Sequence, residues 1–143
     1  MRRLPVSILL VLSLIVPACS SQPHYPSPPV SDRDAVIDVS TLKDEVPQFY
    51  TYQFQGKNIS FFVLKLKDRT SSFFDACVSC YPHKLGYQYE KGGVVCRACN
   101  TRFSVYTLEK GLGSCYPLKL EGRVEGGKYR IALSAIEAEA GKF

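Results

Sequence analysis

The stretch that decides the fold is residues 77–99, CVSCYPHKLGYQYEKGGVVCRAC, in which fifteen residues separate two Cys-x-x-Cys pairs. The pairs are Cys77 with Cys80 and Cys96 with Cys99. Pairs at this spacing form two tight turns, each of which presents two thiolates, and the four thiolates together can surround one ion. The spacing therefore predicts a tetrahedral metal site on all four cysteines, and it leaves the identity of the metal open.

A fifth cysteine, Cys115, follows fifteen residues after Cys99. The flanking Gly111, Gly113 and Pro117 predict a tight turn that brings it back toward the two pairs, as an additional ligand or a redox thiol. Structural disulfides are the alternative in an oxidising compartment. Of the six cysteines, Cys19 lies at the end of a predicted signal peptide, where we expect lipidation, and the remaining five are odd in number. A bridge within Cys-x-x-Cys also closes only a small loop, so metal binding is the favoured interpretation.

The residues around the two pairs argue against several kinds of functional site. His83, three residues after Cys80, is close enough in sequence to contact a thiolate, although a simple loop residue is the plainer interpretation. Tyr81 and Asn100 stand where a c-type haem site needs histidine, and neither pair opens a helical pattern as a thioredoxin-like dithiol would. The chain has no acid pair, Ser/His/Asp set or phosphate loop, so hydrolytic catalysis has no support and a metal-binding module is favoured over an enzyme.

Alternating apolar residues predict two β-hairpins on either side of the cysteines. In the first, residues 50–54 pair with a central strand at 59–66 that is apolar on both faces. In the second, residues 118–124 pair with 129–133 across a double glycine at 126–127. The hairpins predict that the domain is mainly β.

The segment between the hairpins, 71–117, contains five cysteines and few aliphatic residues. Such a segment cannot fold on its own apolar content, and small domains replace a core of this kind with disulfides or a metal. The last residues, 133–143, predict a short helix. The expected fold is therefore a small α+β domain, mainly β, in which two hairpins flank a cysteine-rich metal knuckle.

The N-terminus has the pattern of an export signal. Residues 1–18 combine a basic start with an apolar run at 4–16 that is too short to span a membrane, which is typical of a signal peptide. The run ends at Cys19 in a context that resembles the lipobox of bacterial lipoproteins, so we expect lipidation there. Residues 19–34 are rich in serine and proline and predict a tether, and residues 35–143 form a single domain.

Charge gives little support for a polyanionic partner. The formal net charge is +5, and removal of Arg2 and Arg3 with the signal peptide would leave about +3. Nucleic acid is also absent from the compartment that an exported protein enters. We therefore expect no nucleic-acid partner, and a location at the membrane of a bacterium, facing the periplasm or the cell exterior.

Three blocks of the sequence resemble a known family. FYTYQFQGKNISFFVLK, FDACVSCYPHKLGYQYEKGGVVCRACNTRF and GSCYPL occur in this order between Val39 and Leu120. They are similar to the membrane iron–sulfur-containing, FtrD-like proteins. Family members commonly have Gly-Gly-Cys-Asn-Pro where this chain has Gly-Ser-Cys-Tyr-Pro at 113–117, and larger members carry membrane-spanning segments that Cys19 would replace as anchor.

The resemblance implies an iron–sulfur-type site, with a cluster or a single iron, on Cys77, Cys80, Cys96 and Cys99, and it includes Cys115 in the same pattern. It also implies membrane association and electron transfer with redox or iron-transport membrane proteins, as part of iron uptake. Zinc remains an alternative, because thiolate sites favour it and a chain exported unfolded could acquire zinc or a single iron outside the cytosol. The other functions left open are a scaffold held by structural zinc and a thiol–disulfide or metal relay.

Overall fold

The computed structural model describes residues 21–67 and 69–143. The predicted signal peptide, 1–18, and Cys19 lie outside these residues. The described chain is mostly β, as predicted, with a short helix near the C-terminus. The strands are β1 (Val30–Ser31), β2 (Asp34–Asp38), β3 (Gln48–Phe54), β4 (Lys57–Leu66), β5 (Arg69–Cys77), β6 (Tyr87–Glu90), β7 (Gly93–Cys96), β8 (Arg102–Ser104), β9 (Pro117–Leu120), β10 (Arg123–Glu125) and β11 (Lys128–Ala132), and the helix is α1 (Leu133–Glu137).

The central sheet contains the first predicted hairpin. Its strand order is β3-β4-β5-β9, and neighbouring strands are antiparallel. Gln55 and Gly56 join β3 to β4 with φ angles of 48° and 77°, which suits the two-residue turn that twisted hairpins favour. The turn therefore lies between the two strands predicted at 50–54 and 59–66. Residues 59–64 are all buried, which confirms that β4 is a central strand.

The central sheet has a hydrophobic core on each face, because successive side chains of a strand point to opposite sides. On one face Phe61 and Phe74 pack with apolar residues of β2, β11 and α1. On the other face Phe62 and Phe73 pack with the cysteine segment and stack at 5.4 Å between ring centroids. The residues of β4 are apolar on both faces because each face packs into a separate hydrophobic core.

The second predicted hairpin is correct only at its turn. Residues 123–125 and 128–132 form β10 and β11, and the sheet they belong to has the order β1-β2-β11-β10. Residues 117–120 instead form β9, which pairs with β5 in the central sheet, while Leu133 begins α1. The chain changes sheets at Gly122, where a Cβ atom would lie 2.5 Å from the Tyr129 ring. The alternation of apolar residues continues through this change, so periodicity could not reveal it.

The cysteine segment forms a small third sheet, β6-β7-β8, beside the central one. Its Tyr87, Val94 and Phe103 are buried against Phe62 of β4 and other side chains of that face. The side chains of the segment therefore share a hydrophobic core with the central sheet, which supplies the apolar partners that the segment itself lacks. This packing leaves its turns, and the cysteines in them, at the edge of the domain.

The described part of the predicted tether packs against the domain. The Tyr25 ring stacks on Phe49 at 4.8 Å between centroids, and the Pro26 carbonyl accepts a hydrogen bond of 3.1 Å from the Thr51 amide. Residues 30–31 form β1, which pairs with β2. Residues 21–34 are therefore attached to the domain along much of their length, contrary to the expectation of a free tether.

Candidate metal centre

Four cysteines meet at the junction of the central and small sheets. The sulfur atoms of Cys77, Cys80, Cys96 and Cys115 all lie within 4.8 Å of one another. A tetrahedral ion bound to sulfur at about 2.3 Å holds its ligands about 3.8 Å apart, so a modest contraction would bring these atoms to coordinating geometry. The arrangement suits one four-coordinate metal ion. Cysteines that ligate different irons of a cluster lie farther apart, and a cluster would require these turns to open.

The first pair is placed by the end of β5. Cys77 is the last residue of that strand, and the Cys80 amide donates to the Cys77 carbonyl at 3.1 Å, which closes a tight turn. A 3-10 turn at Tyr81–His83 follows and ends at Lys84 with φ of 53°. This local folding turns both thiols toward the small sheet.

The second pair is placed by the end of β7. Cys96 is the last residue of that strand, and its carbonyl accepts a hydrogen bond of 2.8 Å from the Asn100 amide. Asn100 has φ of 58°, a left-handed conformation that asparagine tolerates better than most residues. The turn buries Cys96 but leaves Cys99 exposed.

Cys115 reaches the site from a turn that is tied to the first pair. The backbones of Leu112 and Cys115 bond to each other at 2.9 and 3.0 Å. The Ser79 hydroxyl donates to the Ser114 carbonyl at 2.6 Å, and the Val78 amide donates to the Tyr116 carbonyl at 3.0 Å. These bonds place the Cys115 sulfur 3.2 Å from that of Cys77. The turn expected from the flanking glycines and proline does bring this thiol back to the pairs.

Cys99 lies at the edge of the group rather than within it. Its sulfur is 3.5 Å from the Cys115 sulfur and 3.1 Å from the Thr101 hydroxyl oxygen. The ligand set predicted from spacing contained both Cys-x-x-Cys pairs, with Cys115 as a possible addition, whereas the compact group contains Cys115 and not Cys99. Spacing along the chain cannot distinguish the two sets, because only packing decides which thiol points inward.

The crowded thiols have unequal pKa values. Burial, with Cys99 and Cys96 close by, raises the pKa of Cys80 to about 12. Burial also raises the pKa of Cys115, as do the neighbouring Cys77 and Cys99. For Cys99, burial opposes ionisation, but hydrogen bonds with Thr101, Cys115 and Cys96 outweigh it and lower the pKa to about 6. Thiolates this close repel one another, and a bound cation would remove that penalty.

Two aromatic rings and His83 surround the thiols in different ways. Tyr87 and Phe103 are buried against the group, as expected of residues that exclude water. His83 is exposed, and its backbone amide donates to the Cys80 carbonyl at 3.1 Å. Among the described residues, the potential ligand atoms that come together around this point belong to cysteines. His83 therefore supports the turn through its backbone.

Sequence reasoning missed the role of Asp75. This carboxylate is buried two residues before Cys77, where it accepts hydrogen bonds from the Tyr87 amide at 2.5 Å and the Gln22 side chain at 2.8 Å. Burial raises its pKa to about 6 although both hydrogen bonds act in the opposite direction. The sequence signal for this role was an acidic residue within an otherwise apolar strand end, FFDAC at 73–77. Asp75 connects the N-terminal segment, β6 and the metal-site strand.

The fold and the four grouped thiols define a small β-rich protein with a cysteine site that could bind a metal. A model of the family described as "Membrane iron-sulfur containing protein FtrD-like" matches residues 42–143. The chain belongs to this family, which confirms the resemblance seen in its sequence. Searches of curated proteins and of solved structures gave no match. In the described residues, no helix has the length and apolar character needed to cross a membrane.

Proposed function

We propose that this protein is an exported, membrane-anchored electron carrier that holds a single iron ion on Cys77, Cys80, Cys96 and Cys115. The observation that carries the proposal is the set of four sulfur atoms within 4.8 Å of one another. The family name supports iron with sulfur ligands, and the compactness of the group favours one ion over a cluster. When bound, such an iron gains and loses one electron.

The domain is built to hold the four ligands in place during this exchange. Cys77 and Cys96 are almost fully buried, at 2% and 1% exposed. Cys77 ends β5 of the central sheet, and Cys96 ends β7 of the small sheet that packs against it. Cys80 and Cys115 are partly exposed and lie on turns. The buried pair fixes the site, and the partly exposed pair offers a short path for an electron to a partner protein.

Nearby cations favour a negatively charged centre. Four thiolates around a divalent iron carry a net charge of about −2. Lys84 and Lys142 line a small cavity together with Cys77 and Cys80. Their charges would stabilise the reduced centre more than the oxidised one, because the reduced centre carries one more negative charge.

The N-terminal segment supports a location close to a membrane. Gln22 lines the same cavity as Cys77 and Cys80, and its side chain bonds to Asp75. Two residues separate Gln22 from Cys19, the proposed site of lipidation, so the three steps along the chain span at most about 11 Å. An anchor there would place the metal centre beside the membrane surface, within reach of a membrane protein of iron transport. In cells, Cys19→Ser should move the protein from the membrane to the soluble fraction; retention at the membrane would refute the anchor.

Metal analysis and spectroscopy of protein purified without air test the electron-carrier proposal. We expect about one iron per chain and a visible absorption band that bleaches on reduction and returns on oxidation. The matched control is Cys77→Ser, which should lose both the iron and the band. Stoichiometric zinc without a visible band would refute electron transfer and favour a structural zinc site, since closed four-thiolate sites are typical of structural zinc. Metal-free protein with intact disulfides would refute both metal functions.

A further inference from the structure

The Tyr87 hydroxyl is a buried polar group with an unusual environment. Tyr87 is 0% exposed, and its hydroxyl oxygen has no hydrogen-bond partner among the described residues. Buried hydroxyl groups without a partner are rare, because they have lost water and gained nothing in return. A phenylalanine would fill the same space without this cost, so the hydroxyl requires an explanation.

The Tyr87 ring packs with the cysteines of the site. Tyr87 lies in the same buried cluster as Cys77 and Cys96, and Cys115 packs against that cluster. Tyr87 is also the cross-strand partner of Cys96 in the β6–β7 pair. The ring therefore lies among three of the four grouped cysteines, and its hydroxyl is a buried donor without a partner among the described residues. After burial, Cys77 is the largest cause of the raised Tyr87 pKa.

The Tyr87 ring has little freedom to turn elsewhere. It packs edge-on against Phe62 and Phe103, each at 6.2 Å between centroids. Its amide donates to Asp75 at 2.5 Å, and its carbonyl accepts from the Arg97 side chain at 3.0 Å. Contacts on both sides of the ring and at both backbone groups hold the hydroxyl in its position before any metal binds.

We propose that the Tyr87 hydroxyl donates a hydrogen bond to the Cys77 sulfur when that sulfur is a metal-bound thiolate. The inference rests on the proposed metal site and adds a positioning residue to it. A thiolate accepts a hydrogen bond more strongly than a thiol, so metal binding supplies the partner that the hydroxyl lacks. The bond orients Cys77 toward the metal and withdraws charge from its sulfur. In an iron form it therefore favours the reduced state and raises the reduction potential.

Tyr87→Phe tests this hydrogen bond, because it removes one oxygen atom and keeps the ring. We expect the dissociation constant for Zn(II) or Co(II), each added alone to the full chain, to rise by about tenfold or more. The metal-free variant should be at least as stable as the metal-free wild type, because it no longer buries an unpartnered hydroxyl. In Co(II) protein the sulfur-to-metal charge-transfer band should move to lower energy. Tyr89→Phe, two residues along the same strand and only partly buried, should leave all three quantities unchanged.

Opposite changes in metal affinity and metal-free stability distinguish a hydrogen bond to the site from a packing role. Unchanged metal affinity, or equal destabilisation of the metal-free and loaded forms, would overturn the inference. If the variant does not fold, cadmium-loaded wild-type protein provides a second test by NMR, with scalar coupling expected between a protected tyrosine hydroxyl proton and the cadmium nucleus. Absence of that coupling would also overturn it. These measurements need no iron, so they can succeed even if the electron-carrier proposal fails.

Discussion

Replacement of Cys115 and of Cys99 by serine separates the ligand set seen in the structure from the set suggested by spacing. Cys115 belongs to the group of sulfur atoms within 4.8 Å, whereas Cys99 is exposed and contacts that group through Cys115 at 3.5 Å. We expect Cys115→Ser to weaken metal binding strongly and Cys99→Ser to weaken it little. The two variants remove the same atom, so each is the control for the other.

The expected magnitude follows from the number of ligands. Structural zinc sites bind with apparent free energies of about 10–16 kcal/mol, which is about 2.5–4 kcal/mol for each of four thiolates. Loss of Cys115 should therefore raise the zinc dissociation constant by a factor of about 10²–10³. Loss of Cys99 removes only a weak contact with a neighbouring thiol, worth about 1 kcal/mol or less, and should change the constant by less than about tenfold.

The assay is a chelator competition titration with Zn(II), repeated by absorption with Co(II), on anaerobic protein. A third variant, with both serines, shows whether Cys99 substitutes when Cys115 is missing; a further loss of affinity beyond Cys115→Ser would reveal such substitution. The structural argument is refuted if Cys99→Ser loses as much affinity as Cys115→Ser or more. That result would restore the two Cys-x-x-Cys pairs as the ligand set.

Two further predictions concern stability. Gly86 has φ of +66°, and an added Cβ would lie 2.6 Å from a carboxylate oxygen of Asp75, so Gly86→Ala should destabilise the fold by about 2–4 kcal/mol in urea denaturation. Gly92→Ala, with φ of +80° but open space, should cost only about 1–2 kcal/mol, and equal losses would contradict the steric argument. Hydrogen bonds, above all the one from Lys128, hold the pKa of Asp38 well below its ordinary value of 3.8. The ionised carboxylate therefore stabilises the folded state above pH 3.8, and this contribution is lost as the pH falls. Asp38→Asn should accordingly lower the melting temperature at neutral pH, with a difference from wild type that shrinks below pH 3.8; a constant difference would contradict the linkage.

Strong local patterns predicted much of the fold. The alternation around Gly56 located both strands of the β3–β4 hairpin to within two residues, because a turn and two apolar strands are local features. The same reasoning failed at residues 117–120, which pair with β5 instead of extending the second hairpin. Alternation shows that a strand has a buried face, but it does not show which strand lies beside it.

The sequence by itself determined that the chain has a mainly β domain around a thiol-rich segment, because strand periodicity and the Cys-x-x-Cys turns are set by neighbouring residues. Only the tertiary structure decided that Cys115 joins Cys77, Cys80 and Cys96 while Cys99 stays at the edge. It also decided that Tyr87 packs in the same buried cluster as Cys77 and Cys96, with a hydroxyl that has no partner among the described residues. These facts depend on contacts between residues far apart in the chain, and the packing of the small sheet against β4 and β5 creates them.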